Sequence, residues 1–283
     1  MCKGDVVMGL RINTNVAAIN AQRQLGAGQE RENHALRAIS SGNRIVRPAD
    51  DAAGLAISEN LRGQLGGIRK SRENAGNALS LVQVAEGGLN EQTNILIRLR
   101  ELSLEASNDT VSDKERGYLD NEYQQLTQEF DRIAKTTTFG NKPLLTGNGG
   151  KLTFHVGPFG GSDNRIVYKL DADTTASNVD ISGLSITDRD DASDNLATLD
   201  KALQKLAAVR ANFGAIQSRL QSASSNLDTQ YENLAEAKSR ISDADIAYET
   251  GELAQAQVLR EAQVSVLAQA NQTPMRAVKL ING

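Results

Sequence analysis

The sequence has no tryptophan, one cysteine, two histidines and four prolines in 283 residues. The lone Cys2 excludes an internal disulfide framework and a thiolate metal cluster. His34 and His155 have no second histidine or cysteine nearby in sequence to complete a metal or acid–base site, so each reads as a surface or partly packed residue. The serines have no His–Asp context for nucleophilic catalysis. Neither an enzyme nor a resident cofactor is expected. Aromatic residues make up 4% of the chain, too few to anchor one large compact core. No uncharged apolar run reaches transmembrane length, and Met1–Met8 lacks the apolar stretch of a secretory signal. Membrane insertion and a cleavable leader are therefore not expected.

What remains is rich in Ala, Leu, Gln, Asn, Ser and Glu, a composition suited to long helices. The net charge of −4 is unevenly spread. Residues 1–47 carry four more basic than acidic side chains, but singly and without aromatic interleaving. That is an ordinary helix surface rather than a nucleic-acid site. Residues 171–195 hold seven aspartates against Arg189 and read as a solvated, outward tip.

The strongest pattern lies near the C-terminus. Leu199, Leu206, Phe213, Leu220, Leu227, Leu234 and Ile241 recur every seven residues, each followed three positions later by a smaller or apolar residue except at Gln230. This is a helix-packing seam that needs a partner. The partner is expected in Val82, Ala85, Leu89, Gln92, Leu96 and Leu99, with Ile95 and Leu102 widening the stripe. A break falls at Asn108–Thr110. Ser112 with Glu115 then predicts a capping box, opening a helix marked by Tyr118, Leu119, Tyr123, Leu126, Phe130 and Ile133. Lys151–Val156 and Arg165–Leu170 read as two strands between Gly-rich turns, Gly147–Gly150 and Gly157–Gly161. No Lys-Ser/Thr follows those glycines, so they are turn residues and not a phosphate cradle.

The two ends form a second level. Ile12, Val16, Ile19, Leu25, Leu36 and Ile39 sit at helical spacing. Ile246–Ala270 is helical in pattern, poor in charge and apolar on several sides, so it must be covered by something. Gly54, Gly63, Gly66, Gly67, Gly76, Gly87 and Gly88 fall in a helical stretch at about 1 kcal/mol each relative to Ala. Close helix approach and gradual bending are the expected return. Met8-Gly9-Leu10 opens the amphipathic pattern, and Met1–Val7 is expected to be an upstream extension.

Two pairs of terminal motifs carry a resemblance. Leu10–Val16 with Ala21-Gln22-Arg23, and Ile39–Ile45 continued by Pro48–Ile57, are similar to the start of bacterial flagellin. Ile241–Ala247 and Leu267–Gln272 resemble the family's closing signature. The likeness covers about residues 8–140 and 195–280. It implies a mainly α fold: a long antiparallel helical rod or coiled-coil bundle with a small β-hairpin region and paired N- and C-terminal helices. The implied division is an extension at 1–7, an inner-core helix at 8–47 and rod helices at 48–140. The hairpin and outer loops would follow at 141–194, the long rod helix at 195–242 and the second inner-core helix at 243–283.

The resemblance also implies a subunit exported unfolded through the flagellar secretion channel, polymerising outside the cell into a homopolymeric filament for swimming. An export chaperone, a filament cap and hook-junction proteins would be its partners. Finally, Arg98–Ser103 resembles the segment recognised by a Toll-like receptor of vertebrate innate immunity, with Arg98, Leu102 and Glu122 as the matching contacts.

Overall fold

The computed structural model describes residues 14–281. The expected extension, Cys2, Met8 and Leu10–Asn13 of the first motif lie outside them. In chain order the elements are α1 (Val16–Ser41), α2 (Ala52–Ala106), α3 (Asp113–Thr136), β1 (Thr138–Phe139) and β2 (Lys142–Pro143). β3 (Gly150–His155), β4 (Arg165–Leu170), α4 (Arg189–Ser242) and α5 (Ile246–Ile281) follow. Two compact units result: Gly63–Leu234, and the chain up to Arg62 together with the chain from Ala235.

The Gly63–Leu234 unit holds the hydrophobic core. Leu199, Leu206, Phe213, Leu220 and Leu227 are buried, while Leu234 and Ile241, on either side of the division between units, are half-buried. On α2, Val82, Ala85, Leu89, Gln92, Leu96, Leu99 and Leu102 are all buried. Each fully buried Leu or Phe contributes about 1.5–3 kcal/mol relative to exposure. Two ion pairs flank the seam. Arg100 Nε meets Asp200 Oδ1 at 2.8 Å, and Arg72 Nε meets Asp228 Oδ1 at 2.5 Å. The step is the same on both helices, 28 residues from Arg72 to Arg100 and 28 from Asp200 to Asp228. Since the partners run in opposite directions, α2 and α4 are antiparallel in one register over four heptads, about 42 Å at 1.5 Å per residue.

α3 returns along α2. Its start is the expected capping box, with Ser112 N–H donating to Glu115 Oε2 at 2.8 Å. Tyr123 and Phe130 face the core, whereas Tyr118 points to solvent at 63% exposure. Arg116, buried, closes the α2 end: its guanidinium donates to the carbonyls of Ala106 at 2.9 Å and Asn108 at 3.2 Å. Carbonyls left without a partner at a helix end need such a donor. Gln92 occupies a seam position without being apolar. Its amide donates to Phe130 O and Thr174 O, at 3.2 and 3.1 Å, so α2, α3 and the loop after β4 are joined at one side chain.

β3 and β4 pair antiparallel from Gly150↔Leu170 to His155↔Arg165, one residue earlier in β3 than the sequence suggests. Alternation places Leu152, Ile166 and Leu170 inward. The Tyr168 ring lies 5.5 Å from that of Phe213, which seats the hairpin on α4. The two-residue ladder of β1 and β2 is too short for any periodicity in the sequence to show.

The second unit is built differently. α1 packs on α5. Asn15 Nδ2 donates to Ala270 O at 2.8 Å, while Glu32 pairs with Arg260, so these helices are antiparallel too. α1 ends at Gly42, whose φ of +69° suits glycine. There the chain is strapped to the end of α4: Arg44 N–H donates to Ser242 O at 2.8 Å, and Ala244 N–H donates to Gly42 O at 2.9 Å. Asp50 Oδ2 accepts from the backbone N–H of Arg47 at 2.7 Å and of Val46 at 3.1 Å. The Arg47 N–H bond is the main cause of an Asp50 pKa below the usual carboxylate value. That helps to fix the connection into α2.

Candidate assembly and recognition surfaces

The helix termini carry far less core than the Gly63–Leu234 unit. Among the described residues of the terminal unit, the buried apolar side chains are Ala35, Ala38, Ile45 and Ala256. Three of the four are alanines, too small to bury much area. The same unit exposes Val16, Ile19, Leu36, Ile57, Ile246, Tyr248, Val258, Leu259, Val264, Val266 and Met275. That is 11 of the 18 large apolar side chains exposed among the described residues, on the smaller of the two units. Such a concentration marks an interaction surface.

Beneath it lies a polar contact that heptad reading misses. Arg260 Nη1 donates to both carboxylate oxygens of Glu32 at 2.9 Å. The Glu32 side chain is only 7% exposed. Its signal in the sequence is positional. Gly28, Glu32, Ala35 and Ala38 form the buried face of α1, so a carboxylate stands in a row of small residues. Arg260 is the lone base of the charge-poor stretch 246–270. Gly28 sits close by, where a Cβ would come 2.7 Å from Gln263 Oε1, so α1 and α5 approach closely at this level.

The second surface is on α2 and α3. Arg98 Nε donates to Glu122 Oε1 at 2.8 Å and its Nη1 to Glu101 Oε2 at 3.3 Å. The bond to Glu122 is the main reason the Arg98 pKa is raised further above its already high value. Arg98 and Glu122 are each roughly half exposed, at 46% and 45%. Leu102 departs from the expected trio of surface contacts. It is 0% exposed, because it lies on the same helix face as Leu99, three residues earlier, and that face is packed into the core. The apolar side chains that do face out on this stretch are Ile97 and Leu104, two turns apart. No group of three or more His, Cys, Asp or Glu side chains among the described residues could hold a metal ion. No described helix is long and apolar enough to cross a membrane.

Comparison with known proteins gives the family. The model described as "Bacterial flagellin N-terminal helical region" matches residues 12–149, and that described as "Bacterial flagellin C-terminal helical region" matches residues 196–281. The chain belongs to the bacterial flagellins. It is 38% identical to a flagellin of Halalkalibacterium halodurans over 95% of this chain and 99% of that one. It is 36% identical to flagellin FlaB1 of Treponema pallidum, again over 95% and 99%. Among solved structures, the flagellin of Bacillus cereus superposes with a TM-score of 0.50 at 30% identity, covering 59% of this chain and 94% of that one. This flagellin is a structural subunit of the bacterial flagellar filament and not an enzyme. Its long antiparallel helices, small hairpins and paired terminal helices are the mainly α architecture that the terminal motifs imply. The two matched regions leave residues 150–195 between them, the stretch with the β3–β4 hairpin and the acidic loops.

Proposed function

We propose that the terminal unit is the polymerising layer of this flagellin, and that its α1–α5 pair is completed by neighbouring copies. One observation carries the proposal: among its described residues the terminal unit exposes eleven large apolar side chains while burying three alanines and one isoleucine. Copies packed together along a filament would remove those side chains from water, at about 25 cal/mol per Å² of apolar surface. A pair of helices with so little core of its own is marginal alone and gains its stability on assembly. Such a design suits a chain exported unfolded through the flagellum's channel, held by an export chaperone and placed under a filament cap beyond hook-junction proteins. The finished polymer is extracellular.

The test is removal of residues 246–283 with filament seeds and precipitating salt added. The truncated chain should keep the helical signal and cooperative melting of the 63–234 unit yet form no filaments in the electron microscope. Filaments indistinguishable from those of the full chain would refute the proposal.

Recognition by a Toll-like receptor is the second reading, supported by the exposed Arg98–Glu122 pair. In the fold the buried Leu102 supports that surface from below instead of touching a partner. Arg98→Ala should weaken receptor signalling while leaving melting nearly unchanged, since exposed pairs contribute about 0–1 kcal/mol. Unchanged signalling by Arg98→Ala would remove this reading. Leu102→Ala is the wrong probe for contact, because it cuts a cavity into the core.

A further inference from the structure

We infer that Asn148 is a site of spontaneous covalent modification: its carboxamide cyclises onto the backbone nitrogen of Gly149 and hydrolyses to aspartate and isoaspartate in the folded chain. Three observations leave the reactants free to meet. Asn148 is exposed and, among the described residues, makes no hydrogen bond. Other asparagines are held: Asn15 by Ala270 O, Asn74 by His155 O, Asn164 by Gly160 O and Asn195 by Ser185 O. The Gly149 N–H, just outside the ladder that begins at Gly150↔Leu170, also makes none. Finally, a Cβ at residue 149 would lie 2.0 Å from Leu170 Cδ2. The packing of Leu170, 1% exposed, thus demands glycine there. Only glycine leaves the attacking nitrogen unshielded by its own side chain, so the fold retains the reactive pair.

The step balances without a cofactor. The Gly149 nitrogen loses its proton to solvent base and attacks Asn148 Cγ. A new N–C bond forms, the Cγ–Nδ2 bond breaks and ammonia leaves with the proton, closing a succinimide. Water then opens the ring at either carbonyl, giving a carboxylate on the side chain or an isoaspartyl backbone. The product lies between the Gly147 N–H to Ala172 O bond, 2.9 Å, and the first β3–β4 pair. An isoaspartyl link adds one methylene to the main chain there and puts a negative charge among Asp171 and Asp173.

Asn141 is the internal control. It is exposed and free of hydrogen bonds among the described residues, but it precedes Lys142. Full-length folded protein would be incubated at mildly alkaline pH and its peptides mapped by mass spectrometry. Isoaspartate would be read on the same peptides by labelled methyl transfer from an isoaspartate-directed methyltransferase. Peptide resolution keeps position 148 apart from Asn282-Gly283, the other Asn-Gly pair in the chain. Asn148 should convert roughly tenfold faster than Asn141 or more, about 1.4 kcal/mol in activation free energy. The peptide from Asn148→Gln should carry no methyl label. Conversion no faster than at Asn141, or a label that persists in Asn148→Gln, would overturn the inference.

Discussion

Adjacent glycines on α2 should respond to the same substitution with opposite signs. Gly87 and Gly88 are both helical, and either one replaced by Ala gains about 1 kcal/mol in helix propensity. Their surroundings differ. A Cβ at Gly87 meets nothing within 4 Å. A Cβ at Gly88 comes 2.7 Å from Thr137 Oγ1 and 3.0 Å from Leu145 Cδ1. Neither neighbour is free to yield. Thr137 Oγ1 donates to Ile133 O at 2.7 Å, and Leu145 is fully buried. Overpacking of this kind costs about 1–3 kcal/mol, more than the propensity gain at most of that range.

Gly87→Ala should therefore raise the melting temperature by about 2–4 °C, the usual effect of 1 kcal/mol in a chain of this size. Gly88→Ala should lower it by a similar amount. The assay is thermal unfolding by circular dichroism of dilute, unpolymerised protein, both variants beside the parent. If Gly88→Ala melts at or above the parent temperature, close approach is not what position 88 provides, and the reasoning about this glycine fails.

Three further outcomes follow from buried polar groups. Arg116→Ala removes the donor for the Ala106 and Asn108 carbonyls and should cost about 1.5–3 kcal/mol in urea unfolding; a loss below 0.5 kcal/mol would show that solvent caps α2 as well. Burial raises the Tyr123 pKa from 10.0 to about 12. The fold thus keeps a proton that the unfolded chain releases, so stability is unaffected below pH 10 and falls between pH 10 and 12, by up to roughly 2–3 kcal/mol. Tyr123→Phe should flatten that alkaline decline, and an unchanged pH profile would assign the decline to other groups. In the α1–α5 pair, Arg260→Ala leaves a carboxylate only 7% exposed without its cation, whereas Glu32→Ala leaves an arginine 38% exposed that can reach water. Hydrogen exchange in α1 should therefore accelerate more in Arg260→Ala than in Glu32→Ala at neutral pH; equal acceleration would mean the carboxylate is not stranded.

Much of the architecture could be read because its causes are local and periodic. The Leu199-to-Leu234 seam, its α2 partner and the Ser112–Glu115 cap each rest on spacing that the chain itself displays. The departures share a different cause. Tyr118 fits the spacing but lies off the buried face, since a helix with a narrow apolar stripe leaves neighbouring positions in solvent. Leu102 reads equally well as seam or surface until the crossing of α3 is known. Gly67 and Gly88 differ from Gly63, Gly66, Gly76 and Gly87 because Pro158, Thr137 and Leu145 are packed against them. Those neighbours come from distant sequence, and no local pattern announces them. The reactive Asn148-Gly149 pair was visible as a turn, but the reason for its glycine, Leu170, was not.

Register is set by different means in the two units. In the Gly63–Leu234 unit, large side chains such as Phe213 and Leu220 fill particular spaces. A slip of one heptad would empty some of those spaces and overfill others, at several kcal/mol. The flanking ion pairs, Arg72–Asp228 and Arg100–Asp200, are half exposed and need contribute little. Between α1 and α5 the buried apolar side chains among the described residues are alanines, and alanine faces slide past one another with small change in buried area. There a slip is penalised through polar groups. It would strand the Glu32 carboxylate, break the Asn15 bond to Ala270 O and move Gly28 away from Gln263. A stranded buried charge alone costs about 3–5 kcal/mol, more than an alanine interface could recover. The thinly packed terminal helices can thus present one defined apolar surface to neighbouring copies even though their own core is too small to specify it.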